Sequence, residues 1–142
     1  MNNVASALAS RRFVASSRYR GVVYWATTMI IGWELLLGGA WDVLRTPYVY
    51  GMVVEDLGYP EYFLVILGAW KLLGGVVLLI PRFPRLKEWA YAGAFFNYTG
   101  AVASHVAVGD GVLVWWGPAG FAVILMVSWA LRPPSRRDFV AR

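Results

Sequence analysis

The sequence predicts an all-α integral membrane protein folded as a four-helix bundle. Of its 142 residues, 59% are hydrophobic and only 15% are charged, whereas a soluble domain is about a quarter charged. The mean hydropathy is +0.55, and four stretches each contain the roughly 20 mainly apolar residues that a membrane-spanning helix requires. These observations place the chain, as a single domain, in the membrane class.

The four predicted spans are joined by short segments. They cover approximately residues 22–44, 62–80, 89–108 and 113–131. Proline and glycine residues lie in the connections, at positions 47, 58 and 60, 81 and 84, 109 and 111, and 133 and 134. We expect a partly ordered surface loop or short interfacial helix over 45–60, and tight turns elsewhere. A soluble bundle needs a polar face on every helix, and the first, second and fourth spans have almost none.

Basic residues concentrate in alternate segments between the spans. They are Arg11, Arg12, Arg18 and Arg20 before the first span, Arg82, Arg85 and Lys87 after the second, and Arg132, Arg136, Arg137 and Arg142 after the fourth. The other two connections carry one basic residue, Arg45, with Glu55, Asp56, Glu61 and Asp110. Because basic segments stay in the cytoplasm, we expect a multi-pass protein of the cell (inner) membrane with cytoplasmic tails, 1–20 and 133–142, around a four-helix domain, 21–132. These basic residues face anionic lipid, so the positive net charge does not indicate nucleic-acid binding.

Three polar residues lie near the middles of the first three spans. They are Glu34, Lys71 and Asn97. An ionisable group at this depth is energetically costly and is functional by default. We expect Glu34 and Lys71 to form a buried ion pair, with Asn97 as its hydrogen-bond partner. The alternative is that the pair serves only to align the helices, since buried ion pairs are weak evidence for stability and are often kept for specificity.

A second polar group is predicted nearer the outer surface. Asp42 follows Glu34 by eight residues, and His105 follows Asn97 by eight, which is about 12 Å along a helix. Asp42 and His105 are therefore expected at similar heights, where a carboxylate beside the lone histidine supplies a proton donor and acceptor. Glu34, Asp42 and His105 become the candidate catalytic groups. The alternative for His105 is a helix-end contact with the turn at Gly109 and Asp110.

Several motifs carry a family resemblance. They are Leu-Gly-Tyr-Pro at 57–60, Leu-Gly-Ala-Trp-Lys-Leu-Leu-Gly at 67–74 and Pro-Arg-Phe-Pro-Arg-Leu-Lys-Glu-Trp-Ala-Tyr-Ala-Gly at 81–93, continued by Gly100-Ala101, Ser104-His105 and Gly109-Asp110. Over roughly residues 22–130 the chain resembles the DoxX-like family of small integral membrane proteins. The resemblance implies a four-helix membrane bundle associated with membrane oxidoreductases, among them a thiosulfate:quinone oxidoreductase subunit. The positions that recur in the family correspond to Glu34, Lys71, Glu88, Asn97, His105 and Asp110, with Tyr59 and Pro60 in the loop.

The leading functional hypothesis is the membrane subunit of an oxidoreductase that binds a lipophilic, quinone-type ligand. Its polar head would contact Glu34, Lys71, Asn97 and His105, and Trp41 and Trp70 would contact its apolar part. The chain shows no haem, flavin or iron–sulfur signature, so electrons would come from a partner protein. The absence of Cys and the single His also exclude thiol exchange and a multi-histidine metal site.

Two other functions fit the same residues. The first is a cofactor-free membrane enzyme that opens an epoxide, isomerises or cyclises a lipid-soluble substrate, which requires only a positioned acid and base. The second is a non-catalytic accessory or assembly subunit, in which the buried polar residues serve packing and the protein forms a homo-oligomer or binds an oxidoreductase partner. Membrane lipid surrounds the protein in all three.

Overall fold

The computed structural model describes the backbone of residues 2–136 and the side chains of residues 18–134 and 136. Within that part, every regular element is helical. The predictions made for Arg11, Arg12, Arg137 and Arg142 lie outside the described side chains. The helical class expected from the sequence is confirmed for the described part of the chain.

Five α-helices follow one another along residues 2–136. They are α1 (Asn2–Val43), α2 (Pro47–Tyr50), α3 (Glu61–Leu79), α4 (Pro84–Ala107) and α5 (Val112–Ala130). A π-helical turn, Gly51–Asp56, continues α2, and a 3-10 turn, Pro134–Arg136, follows α5. The segment 45–60 is thus partly helical, as expected. Proline stands at the start of α2 and of α4, where its missing N–H group has no helical acceptor to lose.

The long helices pack in pairs, and the contact between α1 and α3 is the most extensive. α1 also packs against α5, while α4 packs against α5 and α3. Two glycines permit the close approach of α1 to α3. A Cβ atom on Gly68 would lie 2.6 Å from the carbonyl oxygen of Gly39, and one on Gly39 would lie 2.9 Å from that of Gly68. Small residues allow this backbone contact between membrane helices, which brings polar side chains of α1 within reach of α3.

Three helices in the described part of the chain are long and apolar enough to cross a membrane. They are Arg18–Val43 within α1, Glu61–Leu79 and Val112–Ala130, and they match the first, second and fourth predicted spans. The helix α4, which contains the third predicted span, does not meet this criterion. It carries four ionisable residues, Arg85, Lys87, Glu88 and His105. Large apolar side chains such as Trp89 and Leu113 are exposed on the outer surface, as expected of a protein in contact with lipid.

Buried basic side chains donate hydrogen bonds to the carbonyl groups at the C-terminal end of α3. The ammonium group of Lys87, which is fully buried, donates hydrogen bonds to the carbonyl oxygens of Val77 (2.5 Å), Leu78 (3.0 Å) and Ile80 (2.5 Å). Arg136 donates to the same carbonyl of Leu78 at 3.2 Å. The last carbonyls of a helix have no partner within it, so these contacts replace the missing donors and tie α4 and the segment after α5 to α3.

Candidate functional site

The centre of the candidate site is the ammonium group of Lys71, which lies between two carboxylates of α1. Its Nζ atom is 3.6 Å from Oε1 of Glu34 and 3.2 Å from Oδ2 of Asp42. The two acids are eight residues apart, which is slightly more than two helical turns, so they lie on roughly one face. The long side chain of Lys71 reaches that face from α3. The expected ion pair between Glu34 and Lys71 is therefore present, and Asp42 belongs to the same group.

The absence of a side chain at Gly38 leaves the space that the ammonium group of Lys71 occupies beside Glu34. Gly38 lies one turn from each acid, and a Cβ atom there would be 2.7 Å from Nζ of Lys71 and 3.1 Å from Oε1 of Glu34. Any larger residue at position 38 would displace the ammonium group. The sequence analysis did not assign Gly38 to the site. Its position could have been inferred, because Glu34, Gly38 and Asp42 are spaced four residues apart and so lie on one face of the helix.

The phenol group of Tyr98, on α4, completes the cluster. Its hydroxyl donates a hydrogen bond to Oε2 of Glu34. The ring of Tyr98 is buried and stacks on Phe121 of α5, with ring centroids 5.7 Å apart. All four long helices thus contribute to the position of these groups. We call Glu34, Asp42, Lys71 and Tyr98 the charged cluster.

The hydrogen bond expected from Asn97 comes instead from the next residue. Asn97 is half-buried, and no hydrogen bond joins it to Glu34 or Lys71 within the described residues. Successive residues of an α-helix point about 100° apart, so only one of the two neighbours can face the cluster. The prediction placed the polar partner at the correct height but on the wrong face of α4.

The charged cluster carries an excess of negative charge. It contains two carboxylates and one ammonium group, and the side chains of Asp42, Lys71 and Glu34 are 2%, 13% and 20% exposed. Although Oδ2 of Asp42 is within ion-pair distance of Lys71, it accepts no hydrogen bond from any described residue. A buried acceptor without a donor is energetically costly. The cluster therefore has the capacity to take up a proton or a hydrogen-bond donor, and Glu34 is its most accessible member.

The lone histidine lies at the end of α4 and makes the helix-end contact with Asp110 that the sequence analysis gave as the alternative to a contact with Asp42. Nδ1 of His105 is 2.6 Å from Oδ2 of Asp110, and the backbone N–H of Asp110 donates to the carbonyl of His105 at 3.0 Å. The helix ends at Ala107 and the turn brings Asp110 back onto the histidine. The predicted pairing of His105 with Asp42 is not found among the described contacts, because each has a closer partner, Asp110 and Lys71 respectively.

The two tryptophans assigned to ligand contact lie on the outer surface. Trp70 is 70% exposed, because its neighbour Lys71 already points inward and the next residue on a helix is turned by about 100°. Trp41 is also exposed and packs edge-on against Tyr48 of α2, at 6.3 Å between ring centroids. The aromatic side chain that contacts Glu34 is instead that of Tyr98.

The segment between α2 and α3 is held by side-chain contacts near the C-terminal end of α1, where Asp42 lies. The hydroxyl group of Tyr59 is 2.8 Å from that of Ser104 on α4, and its ring stacks on Phe63 with centroids 4.6 Å apart. Arg45 pairs with Glu61 at 2.5 Å. Tyr59, one of the positions that recur in the family, therefore attaches this segment to α4.

An open groove of about 230 Å³ lies between α4 and α5, one turn away from Tyr98. It is lined by Glu88, Tyr91, Ala92, Phe95, Phe96, Leu125, Met126 and Trp129. No member of the charged cluster lines it.

Comparison with known protein families identifies the family of the chain. A model of the DoxX-like family matches residues 26–130, which is more than half of the chain and runs from the middle of α1 to the end of α5. Every member of the charged cluster lies within that range. No curated protein and no solved structure matches the chain.

Proposed function

The chain belongs to the DoxX-like family of membrane proteins, and we propose that it is the membrane subunit of an oxidoreductase. In this proposal, the charged cluster binds the polar head of a lipophilic, quinone-type molecule. The observation that carries the proposal is the position of Lys71 between Glu34 and Asp42, with Tyr98 bonded to Glu34. Ionisable groups at this depth in a membrane protein are a functional-site hypothesis by default.

We propose that α4 is the fourth membrane-spanning helix. Its 24 residues extend about 36 Å, which exceeds the roughly 30 Å hydrocarbon core of a bilayer. Its ionisable residues lie near its two ends, with Lys87 and Glu88 at one and His105 at the other. Between them, Thr99 donates to the carbonyl of Phe95 at 2.7 Å, so its hydroxyl has an acceptor inside the helix. A four-helix bundle follows, with both termini in the cytoplasm as the basic residues predict.

The chemistry of a quinone suits the donors and acceptors of the cluster. The two carbonyl oxygens of a quinone accept hydrogen bonds, and the ammonium group of Lys71 has three N–H donors to supply them. The single hydroxyl proton of Tyr98 is donated to Glu34 and holds that carboxylate in place. Reduction of a quinone to a quinol takes up two electrons and two protons. The electrons come from a redox centre of a partner protein, and the protons pass through Glu34, which is the most exposed member of the cluster.

A second candidate function is that of a non-catalytic accessory subunit. The observation that favours it is that both acids of the cluster face Lys71, so each carboxylate has a cationic partner within the protein. Such a group would hold α1 against α3 in one register and contact no ligand. Buried ion pairs in other proteins have been proposed to serve in this way, by favouring one arrangement of helices over others.

Binding of a quinone by matched variants separates the two candidates. The purified protein in detergent is titrated with a benzoquinone that carries a ten-carbon chain, and binding is measured by calorimetry for wild type, Glu34→Gln and Glu55→Gln. Glu55 is exposed in the π-helical turn, outside the cluster, and serves as the control. We expect one molecule bound per wild-type chain, a loss of at least tenfold in affinity in Glu34→Gln, and no change in Glu55→Gln.

Two results would count against the proposal. If Glu34→Gln unfolds at the wild-type temperature and binds the quinone equally well, the cluster is not its site. If wild type binds no quinone and Glu34→Gln loses stability, the accessory-subunit function takes its place.

A further inference from the structure

We propose that Asp42 takes up one proton when the polar head of the ligand binds to the charged cluster. This inference rests on the proposed function and adds to it a proton that is bound together with the ligand. The proton comes from the aqueous buffer and forms an O–H bond on the carboxylate of Asp42. The cluster then contains one carboxylate, one carboxylic acid and one ammonium group, which together carry no net charge.

The charged cluster holds one more negative charge than its cation balances. Lys71 is the cationic partner of both acids, and within the described residues no second cation pairs with either of them. A buried charge without a partner is costly, and a carboxyl group in such a place becomes neutral instead. In the free protein this cost is limited, because the side chains of Glu34 and Lys71 are only partly buried. A bound head covers these two groups, so the cost rises on binding and favours uptake of a proton.

Asp42 is the acid that is less able to remain charged. Its side chain is 2% exposed, and its Oδ2 atom accepts no hydrogen bond from any described residue. Glu34 is 20% exposed and accepts a hydrogen bond from the hydroxyl of Tyr98. A hydrogen bond to a carboxylate favours its charged form, whereas burial without one favours the neutral acid. The proton therefore goes to Asp42, and Glu34 stays ionised.

Lys71 of α3 is the charged group that faces Asp42. The other ionisable groups described near this end of the bundle are paired with one another or exposed. The pairs are His105 with Asp110 and Arg45 with Glu61, and the exposed groups are Glu55, Asp56 and Tyr62. The helix α5 contains no ionisable residue. The charge on Asp42 therefore depends on how far Lys71 alone compensates it.

The bound proton gives Asp42 a part in the proposed reaction. A proton that enters through Glu34, the most exposed member of the cluster, is held at Asp42, 3.2 Å from Nζ of Lys71. When the quinone receives electrons from the partner protein, an N–H bond of Lys71 breaks as an O–H bond forms on the quinone oxygen. The proton of Asp42 then restores the ammonium group. Asp42 acts through Lys71 in this step and needs no contact with the ligand.

Calorimetry measures the proton uptake without requiring turnover. The full-length protein in detergent is titrated at pH 8 with the benzoquinone that carries a ten-carbon chain, once in phosphate and once in HEPES. These buffers differ in their enthalpy of ionisation, so the difference in measured heat gives the number of protons taken up per bound quinone. The variants are Asp42→Asn, which resembles the protonated acid in shape and charge, and Glu55→Gln, whose exposed carboxylate lies outside the cluster.

We expect about one proton per bound quinone in wild type and in Glu55→Gln. Asp42→Asn is expected to bind the quinone and to take up none. Because a proton and a ligand favour each other's binding equally, the affinity of wild type should fall about tenfold from pH 7.5 to 8.5. The affinity of Asp42→Asn should not change over this range. The measurements on wild type test the uptake of a proton even if Asp42→Asn does not fold.

Four results would overturn the inference. If wild type binds the quinone with the same heat in both buffers, no proton is taken up, and the inference fails while the proposed function stands. If Asp42→Asn takes up as many protons as wild type, the proton lies on another group. If Asp42→Asn folds but no longer binds the quinone, the site requires the charged form of Asp42. If wild type binds no quinone, the proposed function fails and this inference fails with it.

Discussion

Tyr98 donates a hydrogen bond to Glu34 across the space enclosed by the four long helices. The two residues are 64 positions apart in the sequence and lie on α4 and α1. Glu34 also faces Lys71 of α3, so one carboxylate is held by a hydrogen bond from Tyr98 and by an ion pair with Lys71. This relationship makes Glu34 the residue on which the stability of the cluster and the proposed binding of a polar head both depend.

We expect Tyr98→Phe to lower the free energy of unfolding by about 1 to 3 kcal/mol, because a buried hydrogen bond to a carboxylate is lost while the ring stays on Phe121. Unfolding of the purified protein in detergent measures the change. Tyr62→Phe is the control, since Tyr62 is exposed at the start of α3. An equal loss of stability in both variants would show that the hydroxyl of Tyr98 has no particular role.

Gly38→Ala is expected to separate ligand binding from stability. The added Cβ atom would lie 2.7 Å from Nζ of Lys71, which is the far end of a flexible side chain and can shift. The ammonium group then leaves its place between the two acids, so we expect at least a tenfold loss in quinone affinity. Gly74→Ala is the control, because a Cβ atom at Gly74 meets nothing within 4 Å. Unchanged quinone affinity in Gly38→Ala would contradict the role assigned to the Lys71 position.

The stability contributed by Lys87 is expected to depend on pH. Lys87 lies in the first turn of α4, before the third predicted span at 89–108, and its pKa is lowered from 10.5 to about 8, first by burial and then by the nearby Arg136 and Arg132. Below about pH 8 the folded and unfolded chains both hold the proton. Between about pH 8 and 10.5 the unfolded chain still holds it while the folded chain has released it, so the free energy of unfolding rises with pH over this range.

The variant Lys87→Met isolates this effect, because it removes the titrating group. It leaves the carbonyls of Val77 and Ile80 without the Lys87 donor, so we expect it to be less stable than wild type by about 1 to 3 kcal/mol. The difference between the two proteins should grow as the pH is raised from 8 to 10, as followed by unfolding in detergent. A difference that is constant or shrinks over this range would show that the pKa of Lys87 is not lowered.

His105→Ala is expected to lower stability and to leave quinone binding unchanged, because its partner is Asp110 rather than the cluster. Removing either member of this contact breaks the same interaction, so Asp110→Ala should have a similar effect and the double variant should lose less than the sum. Unfolding and quinone titration of the three variants provide the measurements. A tenfold loss in quinone affinity in His105→Ala would restore the histidine to the site.

Much of the fold and part of the site were predictable from the sequence. The membrane class, the helical elements and the family follow from local properties, namely hydropathy, charge and the motifs around Lys71. The contact between Glu34 and Lys71 was predictable too, because few polar groups lie at that depth and opposite charges there require one another. Of the four long helices, α4 does not meet the hydropathy criterion for a membrane span, since its ionisable residues lower its hydropathy.

The remaining features depend on how each helix is rotated about its axis and how closely its neighbours approach. A rotation of about 100° separates Tyr98 from Asn97 and Lys71 from Trp70, and hydropathy in this chain does not specify it. The close contact of Gly39 with Gly68 determines which face of α1 meets α3, and so gives Asp42 to Lys71 rather than to His105. The sequence by itself determined which polar groups lie within the apolar helices, and the tertiary structure decided their partners, because partners are selected by distances between helices.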